Sequence, residues 1–526
     1  MDKEFCLLDE PWIKVLDEQN VTREVSLIDI FTNAHRYKRL AGETVTQDAA
    51  ILRLLLAVAI TVFYRYRADG CEDWVLEYDD PEEEILNRWS EYWDSGAFNA
   101  NVFQEYLETY RERFYLFHPE TPFWQVADLE DGTNYSVINL FGNIKESNNA
   151  ASRHHFHTID GSYIDNISYA EAARWIVYNN AYSVNVKTKV DGENKPTGVG
   201  RLGQLGLIIV EENTLYKIMM MNLCALNING EVWNNPKPIW EKEPRTRPGV
   251  EIVAPDNLPQ LYTIQSRRLL LYRDNEKILG YRSIGGDYYS TVDDLTEPMT
   301  LLRRDGKEKI SFKPKKHAKE IVAWREFPSL LVENELKPGI ICWLENLMHN
   351  SVIDNKQIVT FRIGLEYGDG MSYTNGELID ESLSMSNEFL NQVGRVWITY
   401  ITDQVNKCED VVQKALYKFA KNLSLYLYKG DTSGTKRIKE LLAVEYYFKI
   451  DKAFREWLIS IEPSSSKRDI KEREWQLTSA QTAEAIVRNY IANLSPQLTM
   501  AGAKAFGVFK KELYKIYPKN SEEGGA

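Results

Sequence analysis

Gly364-Leu-Glu-Tyr-Gly-Asp-Gly-Met-Ser-Tyr-Thr-Asn-Gly376 separates two textures of this 526-residue chain. Beyond Glu377 only Pro463 and Pro496 occur before the tail at Pro518. Apolar side chains there recur at helical spacing, for instance Phe389, Val393, Val396, Trp397, Tyr400 and Ile401. The spacing predicts helices over roughly 384–428, 436–461, 477–492 and 497–516, with breaks at Gly430–Gly434 and Pro463–Lys467. Four helices joined by short connections predict an antiparallel four-helix bundle over 376–526.

Upstream the pattern is mixed. Residues 1–30 alternate apolar and polar groups around Asp9-Glu-Pro11, which predicts two short strands and a turn. The segment from Thr46 to Tyr66 has a capping residue, an acid in its first turn and apolar residues nearly all round, so it predicts a buried helix. Helices are also expected at Asn101–Arg113 and Tyr169–Asn179. Residues 127–165 read as a long polar loop, a kind that is uncommon and often functional. A glycine-rich loop follows at Val190–Gly206, and from Leu207 to about Ile363 short β-type runs alternate with turns: Leu269–Tyr272, Ile278–Ser283, Lys309–Phe312 and Val359–Arg362. The fold class is therefore α+β, with a mixed α/β domain at 1–375 and the helical bundle after it.

Two or three domains suit this length, and 44% hydrophobic with 27% charged residues is a globular balance. The longest apolar stretch, Ile51–Phe63, is broken by Arg53 and falls short of the roughly 20 residues that cross a bilayer. With no signal-peptide pattern at the N-terminus, a cytoplasmic location without membrane contact is expected. The five cysteines lie far apart, and none forms a C-x-x-C pair, so buried free thiols are expected and not a disulfide or zinc framework. A net charge of −14 argues against a protein that coats nucleic acid by itself. It leaves room for a subunit that touches DNA with a few loops.

The chain carries no phosphate-binding G-x-x-x-x-G-K-[ST] loop, no H-E-x-x-H and no G-x-S-x-G elbow. Arg153-His-His-Phe-His157 holds three of the seven histidines. Its cation and its ring suit contact with phosphates and bases better than the ligand count suits a metal. Ile284-Gly-Gly-Asp287 looks like half of a G-G-D-D turn, but Tyr288 stands where a second metal-binding acid is needed. An enzyme of metal-dependent nucleotidyl transfer or nuclease type, built on Asp287 and His154–His157, is thus the alternative to a binding protein.

Between Arg303 and Arg325 nine cations, among them Lys313, Lys315, Lys316 and Lys319, face only Asp305, Glu308 and Glu320. That local reversal of sign suits a phosphate backbone, and a solvated face is the competing explanation. Gly198-Val-Gly-Arg-Leu-Gly-Gln-Leu-Gly206, preceded by Lys187, Lys189 and Lys195, has the composition of a loop that offers backbone N–H groups to phosphate.

Four stretches together resemble the CasA family, the large subunit of the type I-E CRISPR surveillance complex Cascade. They are Leu7-Leu-Asp-Glu-Pro-Trp-Ile-Lys-Val15 with Glu24-Val-Ser-Leu27, Leu40-Ala-Gly and the helix Gln47–Leu56; Arg113-Phe-Tyr-Leu-Phe-His-Pro-Glu-Thr-Pro-Phe-Trp-Gln125; Leu261-Tyr-Thr-Ile-Gln-Ser-Arg-Arg-Leu269; and the helical C-terminus. The resemblance implies a non-catalytic protein that needs no cofactor. Its implied partners are the other Cascade subunits, a guide RNA held by the complex, double-stranded target DNA and a separate helicase–nuclease. Guide pairing reads the target while protein loops inspect the short adjacent motif.

By this resemblance one inspecting loop falls on Arg153–His157. A basic hairpin position falls at Arg282 and Ser283, beside Gly285 and Gly286, and a strand-parting wedge falls on Asp369, Gly370, Met371 and Ser372. The glycine loop of the family falls near Ala181-Tyr-Ser183, which holds no glycine, so its role passes to Gly198–Gly206 or is lost. Met371 stands where the family often has glutamine, and the cysteine cluster of some relatives is absent.

Overall fold

The computed structural model describes residues 3–142, 167–190, 192–244, 252–274, 277–289, 296–305, 311–332, 337–350, 353, 356–427 and 431–518. The chain divides into two compact units: Met1–Glu320, Glu333–Asp354 and Val359–Ser382 form the first, and Ile321–Val332, Asn355–Ile358 and Leu383–Ala526 the second. The expected division at 375/376 falls inside a strand, Thr374–Ser386. Ile379, Leu383 and Met385 are buried and Asp380 and Ser382 exposed. That two-residue alternation suits a strand and not a helix beginning at 384.

The first unit is built around the helix Val45–Phe63, capped by the Thr44 hydroxyl, which accepts from the Gln47 N–H. The helix is long and apolar enough to cross a membrane by composition alone, yet nearly all of it is buried in this unit as a core helix. Against it pack the helices Tyr169–Tyr182 and Leu258–Tyr262. Residues 1–30 hold three strands, not two: Glu4–Cys6, which pairs with Tyr115–Phe117, and Ile13–Asp17 and Thr22–Val25, which form a sheet with Tyr37–Leu40 in which Ile13–Asp17 is central.

Two further three-stranded sheets carry the candidate site. In one, Lys277–Gly285 lies between Arg267–Asp274 and Thr133–Ser136. In the other, Gln357–Tyr367 lies between Leu207–Glu211 and Thr374–Ser386. The glycine-rich stretch forms a small hairpin, Lys187–Val190 with Glu193–Pro196, then a short turn of helix at Arg201–Gln204. Helices at Leu215–Asn222 and Gly339–His349 stand where β-type runs are expected from sequence.

The second unit contains four long helical stretches. Gly394–Asp410 continues through one π-helical turn, Val411–Leu416, into Tyr417–Leu427, and Thr432–Ile459, Arg468–Ala492 and Thr499–Ile516 follow. Each packs against the next and the last against the first, which closes an α-helical bundle. In its core Trp324 and Phe454 stack with ring centroids 4.2 Å apart, and Trp475 meets Phe454 edge to face at 4.8 Å.

A polar chain crosses this core. Tyr446 OH lies 2.6 Å from Ser479 Oγ, which lies 2.9 Å from Tyr517 OH, and all three residues are buried. Ser479→Ala leaves two phenols short of a partner in a medium without water. The expected cost is about 1–3 kcal/mol in denaturant unfolding of the full chain. A change below about 0.5 kcal/mol would mean that the phenols satisfy one another without the serine.

Candidate nucleic-acid interface

The turn that joins Gln357–Tyr367 to Thr374–Ser386 stands on two tyrosines. Tyr367 is half-buried and donates its hydroxyl to the Tyr182 carbonyl at 2.8 Å. Burial pushes its phenol well above the usual range, so it remains a donor throughout ordinary pH. Gly368 faces the Tyr373 ring so closely that a Cβ there would lie 2.0 Å from it. Gly368 N–H donates to Tyr373 O at 2.9 Å and Met371 N–H to Gly368 O at 2.9 Å, which makes the turn tight.

Gly370 and Met371 both have left-handed backbone, with φ of 61° and 56°. Glycine tolerates that conformation, whereas methionine pays about 1–2 kcal/mol for it. The Met371 side chain is 40% exposed at the tip. A strained apolar tip of this kind persists only where its surroundings hold it.

Those surroundings come from three distant parts of the chain. Lys316 Nζ lies 3.7 Å from Met371 Sδ and 5.1 Å from the Tyr367 ring centroid, a cation–π contact. Asn185 donates its backbone N–H to Met371 O at 2.8 Å and its side-chain NH₂ to Gly370 O at 3.4 Å, and accepts from Gly198 N–H at 3.0 Å. Behind it the buried Arg267 guanidinium donates to the carbonyls of Val184, Thr197, Gly198 and Ser266. Gly200 packs on the Ala181 carbonyl, 2.4 Å from where its Cβ would sit. Gly200 therefore meets the stretch Ala181–Ser183 in space, although that stretch has no glycine of its own.

The other expected site residues take different places. Arg153, His154, His155, Phe156 and His157 lie outside the described residues. Lys313 pairs with Asp305 across the hairpin Leu302–Asp305/Ser311–Pro314, and Lys319 lies 3.6 Å from Glu366. Lys315 is half-buried, and its carbonyl rests against Gly206.

Arg282 is half-buried and donates to the carbonyls of Leu129 and Glu130 at 2.9 and 2.7 Å and to Asn134 Oδ1 at 3.0 Å. Ser283, Gly285 and Gly286 are buried. Gly286 backs onto the Gln265–Arg267 backbone, where a Cβ would sit 2.2 Å from Gln265 O. These three face the interior of the unit, so packing accounts for them. Asp287, the acid of the glycine turn, is buried with its Oδ1 2.5 Å from Arg268 Nη2. Its charge is answered by an arginine, and among the described residues no cluster of acids stands there that could hold a metal. Asn185, Arg267 and Tyr367 were not singled out by sequence, although Arg267 lies within the Leu261–Leu269 motif.

Residues 7–486 match the family model described as CRISPR-associated protein Cse1. The chain belongs to the Cse1 family. A CRISPR-associated protein CasA/Cse1 from Thermus thermophilus is 28% identical over 338 residues, 62% of this chain. The match spans 60% of that relative's length. The crystal structure of Thermobifida fusca Cse1 has a TM-score of 0.82 and 25% identity, covering 98% of each chain. Cse1 from Acidimicrobium ferrooxidans has a TM-score of 0.80 and 23% identity, covering 98% of this chain and 99% of that one. A chain from a structure described as a CRISPR RNA-guided surveillance complex shares the fold, with a TM-score of 0.71 and 14% identity, covering 98% of this chain and all of the other. The α+β fold expected from sequence is the fold of these Cse1 structures.

Proposed function

We propose that this Cse1 family member is the large, non-catalytic subunit of a guide-RNA surveillance complex. In that role it binds target double-stranded DNA, recognises the adjacent motif, starts strand separation and presents the opened target to a separate helicase–nuclease. The observation that carries this reading is the assembly at one point of the exposed Met371 tip, the Lys316 ammonium and the Gly198 loop. An apolar tip can enter a base step and an adjacent cation can hold a phosphate, while the glycine loop, its glycine N–H groups bonded within the unit, sets the place of the tip. Family membership and the likeness to a surveillance-complex chain support the setting.

The basic segment gives the test. Changing Lys313, Lys315, Lys316 and Lys319 together to Ala, in the assembled complex, weakens binding of all target sequences alike. The salt dependence flattens by up to roughly 0.9 in log–log slope per lost phosphate contact. Lys316 is expected to contribute most, because Lys313 and Lys319 have carboxylates beside them. Unchanged affinity and slope would assign the run to a solvated face. For the Arg153–His157 loop, replacement by Gly/Ser is expected to reduce discrimination between targets with and without the motif while assembly stays intact. Persisting discrimination would move motif reading to Arg282 or to the Gly198 loop.

A further inference from the structure

Asn185 sits where three left-handed backbone positions meet: Gly198 with φ 69°, Gly370 with φ 61° and Met371 with φ 56°. Its amide oxygen accepts from Gly198 N–H, its amide nitrogen donates to Gly370 O, and its own main-chain N–H donates to Met371 O. We propose that Asn185 is a positioning residue that locks the Gly198 loop to the Met371 turn, so that contact of DNA with the loop sets the tip for strand separation. The inference rests on the function proposed above and adds to it a coupling between two of its parts.

The bond pattern makes the amide specific. Both of its ends are used, one toward each loop, and only asparagine supplies a donor and an acceptor at that length of side chain. The loop side is fixed independently: Arg267 holds the carbonyls of Val184, Thr197 and Gly198, and Val186 and Thr197 bond to each other through backbone and hydroxyl. The turn side is held by its own hairpin bonds, by Lys316 and by the Asn185 main-chain N–H on Met371 O. The loop thus passes its position to a strained turn through one residue, by its main-chain N–H and its side-chain amide. Without the amide the main-chain bond to Met371 O remains, but the Gly370 carbonyl and the Gly198 N–H lose their shared partner. The left-handed turn at Gly370 and Met371 is then held by main-chain bonds and Lys316 with no side-chain link to the loop.

The test uses the full chain in the assembled complex and three targets: closed duplex with the motif, closed duplex without it, and duplex with its first guide-paired positions mismatched open. Asn185→Ala is expected to lower affinity for the closed motif target about tenfold and for the pre-opened target less than about threefold. Motif discrimination is expected to shrink in the same variant. Asn185→Asp retains the acceptor for Gly198 but sets an oxygen against Gly370 O. It should recover discrimination and not opening, a split that a simply misfolded loop cannot give. In the Met371→Gly background Asn185→Ala should cost little more on closed DNA, because both changes remove the same step.

Equal losses on closed and open DNA, or full additivity with Met371→Gly, overturn the coupling. If Met371→Gly itself does not distinguish closed from pre-opened DNA, the reading of the site as a strand-parting element fails first, and the coupling falls with it. If Met371→Gly distinguishes them and Asn185→Ala does not, only the coupling fails.

Discussion

A chain carrying Met371→Gly and Ser372→Gly is expected to bind fully duplex targets on the order of 30-fold more weakly and pre-opened targets almost normally. Unstacking one base step costs a few kcal/mol. If the Met371 thioether fills the gap and offsets about 2 kcal/mol of that cost, its loss is worth roughly 30-fold. Supplying the target already mismatched open removes the opening cost from the cycle. The variant then recovers, to within about threefold of the parent.

The backbone makes this substitution a fair test. Met371 occupies a left-handed position, so glycine there removes about 1–2 kcal/mol of strain and does not threaten the turn. Ser372 Oγ donates to Asp369 O at 2.8 Å, and losing that exposed bond costs about 1 kcal/mol at most. The hairpin bonds between Gly368, Met371 and Tyr373 are main-chain and survive both changes. Competitive titration against labelled closed and bubble duplexes decides the outcome. Equal losses on the two would show that the turn serves folding or docking and does not part strands.

How much of this was legible in the sequence differs between parts of the chain. The helices of the second unit announce themselves through Phe389, Trp397, Ile401 and their repeats, because one face of each is buried and the period of 3.6 survives. The first nine residues of Arg468–Ala492 escape notice because Arg468-Asp-Ile-Lys-Glu-Arg-Glu-Trp-Gln476 has a single buried anchor, Trp475. The π-helical turn at Val411–Leu416 has no composition of its own and only slips the register by one residue. In the first unit, short apolar runs such as Leu215–Asn222, buried at every position but Lys217, lack the polar face that betrays a helix. Length and periodicity cannot tell such runs from strands.

The site is less legible still. Asn185, Gly198, Lys316 and Met371 come from four separate positions in the chain, and nothing in local spacing says that they meet. Composition does mark Met371 in its glycine turn and Lys316 in its basic run, each for a separate reason. The glycines mislead in both directions. Gly286 looks like part of an exposed hairpin turn but is there because the Gln265–Arg267 backbone lies against it, and Gly285 pairs with Arg267 in the sheet. Gly200, Gly203 and Gly206 look like a phosphate loop, yet Ala181, the Tyr367 hydroxyl and the Lys315 carbonyl fill the space that side chains would take. Of that stretch, Gly198 alone has its N–H engaged by the Asn185 side chain.

The arginine that interrupts the apolar core helix is expected to govern the stability of the first unit. Arg53 places its two Nη atoms 2.8 and 2.9 Å from the two carboxylate oxygens of Glu297, and its guanidinium lies 4.0 Å over the Tyr262 ring. Arg201 stands 3.8 Å from the same carboxylate, and Arg53, Arg201 and Glu297 are all buried. Burial by itself pushes the Glu297 carboxyl up, but the Arg53 charge and hydrogen bonds outweigh it and hold the group below its ordinary value of 4.5. Glu297→Ala takes the carboxylate from the buried Arg53 guanidinium and is expected to cost about 3–5 kcal/mol. Arg53→Met with Glu297→Leu removes charge and partner together, and should cost far less. Because the folded carboxyl is held down, its contribution is complete above the unfolded pKa of about 4.3. It is lost as the pH falls through the lower folded value. Amide exchange along Val45–Phe63 provides the measurement: Glu297→Ala should exchange at least about 100-fold faster at neutral pH, since each 1.4 kcal/mol is tenfold. The double variant should show less acid sensitivity than the parent. Parallel acid profiles, or a cost below about 1 kcal/mol for Glu297→Ala, would show that water or neighbouring groups already answer the Arg53 charge.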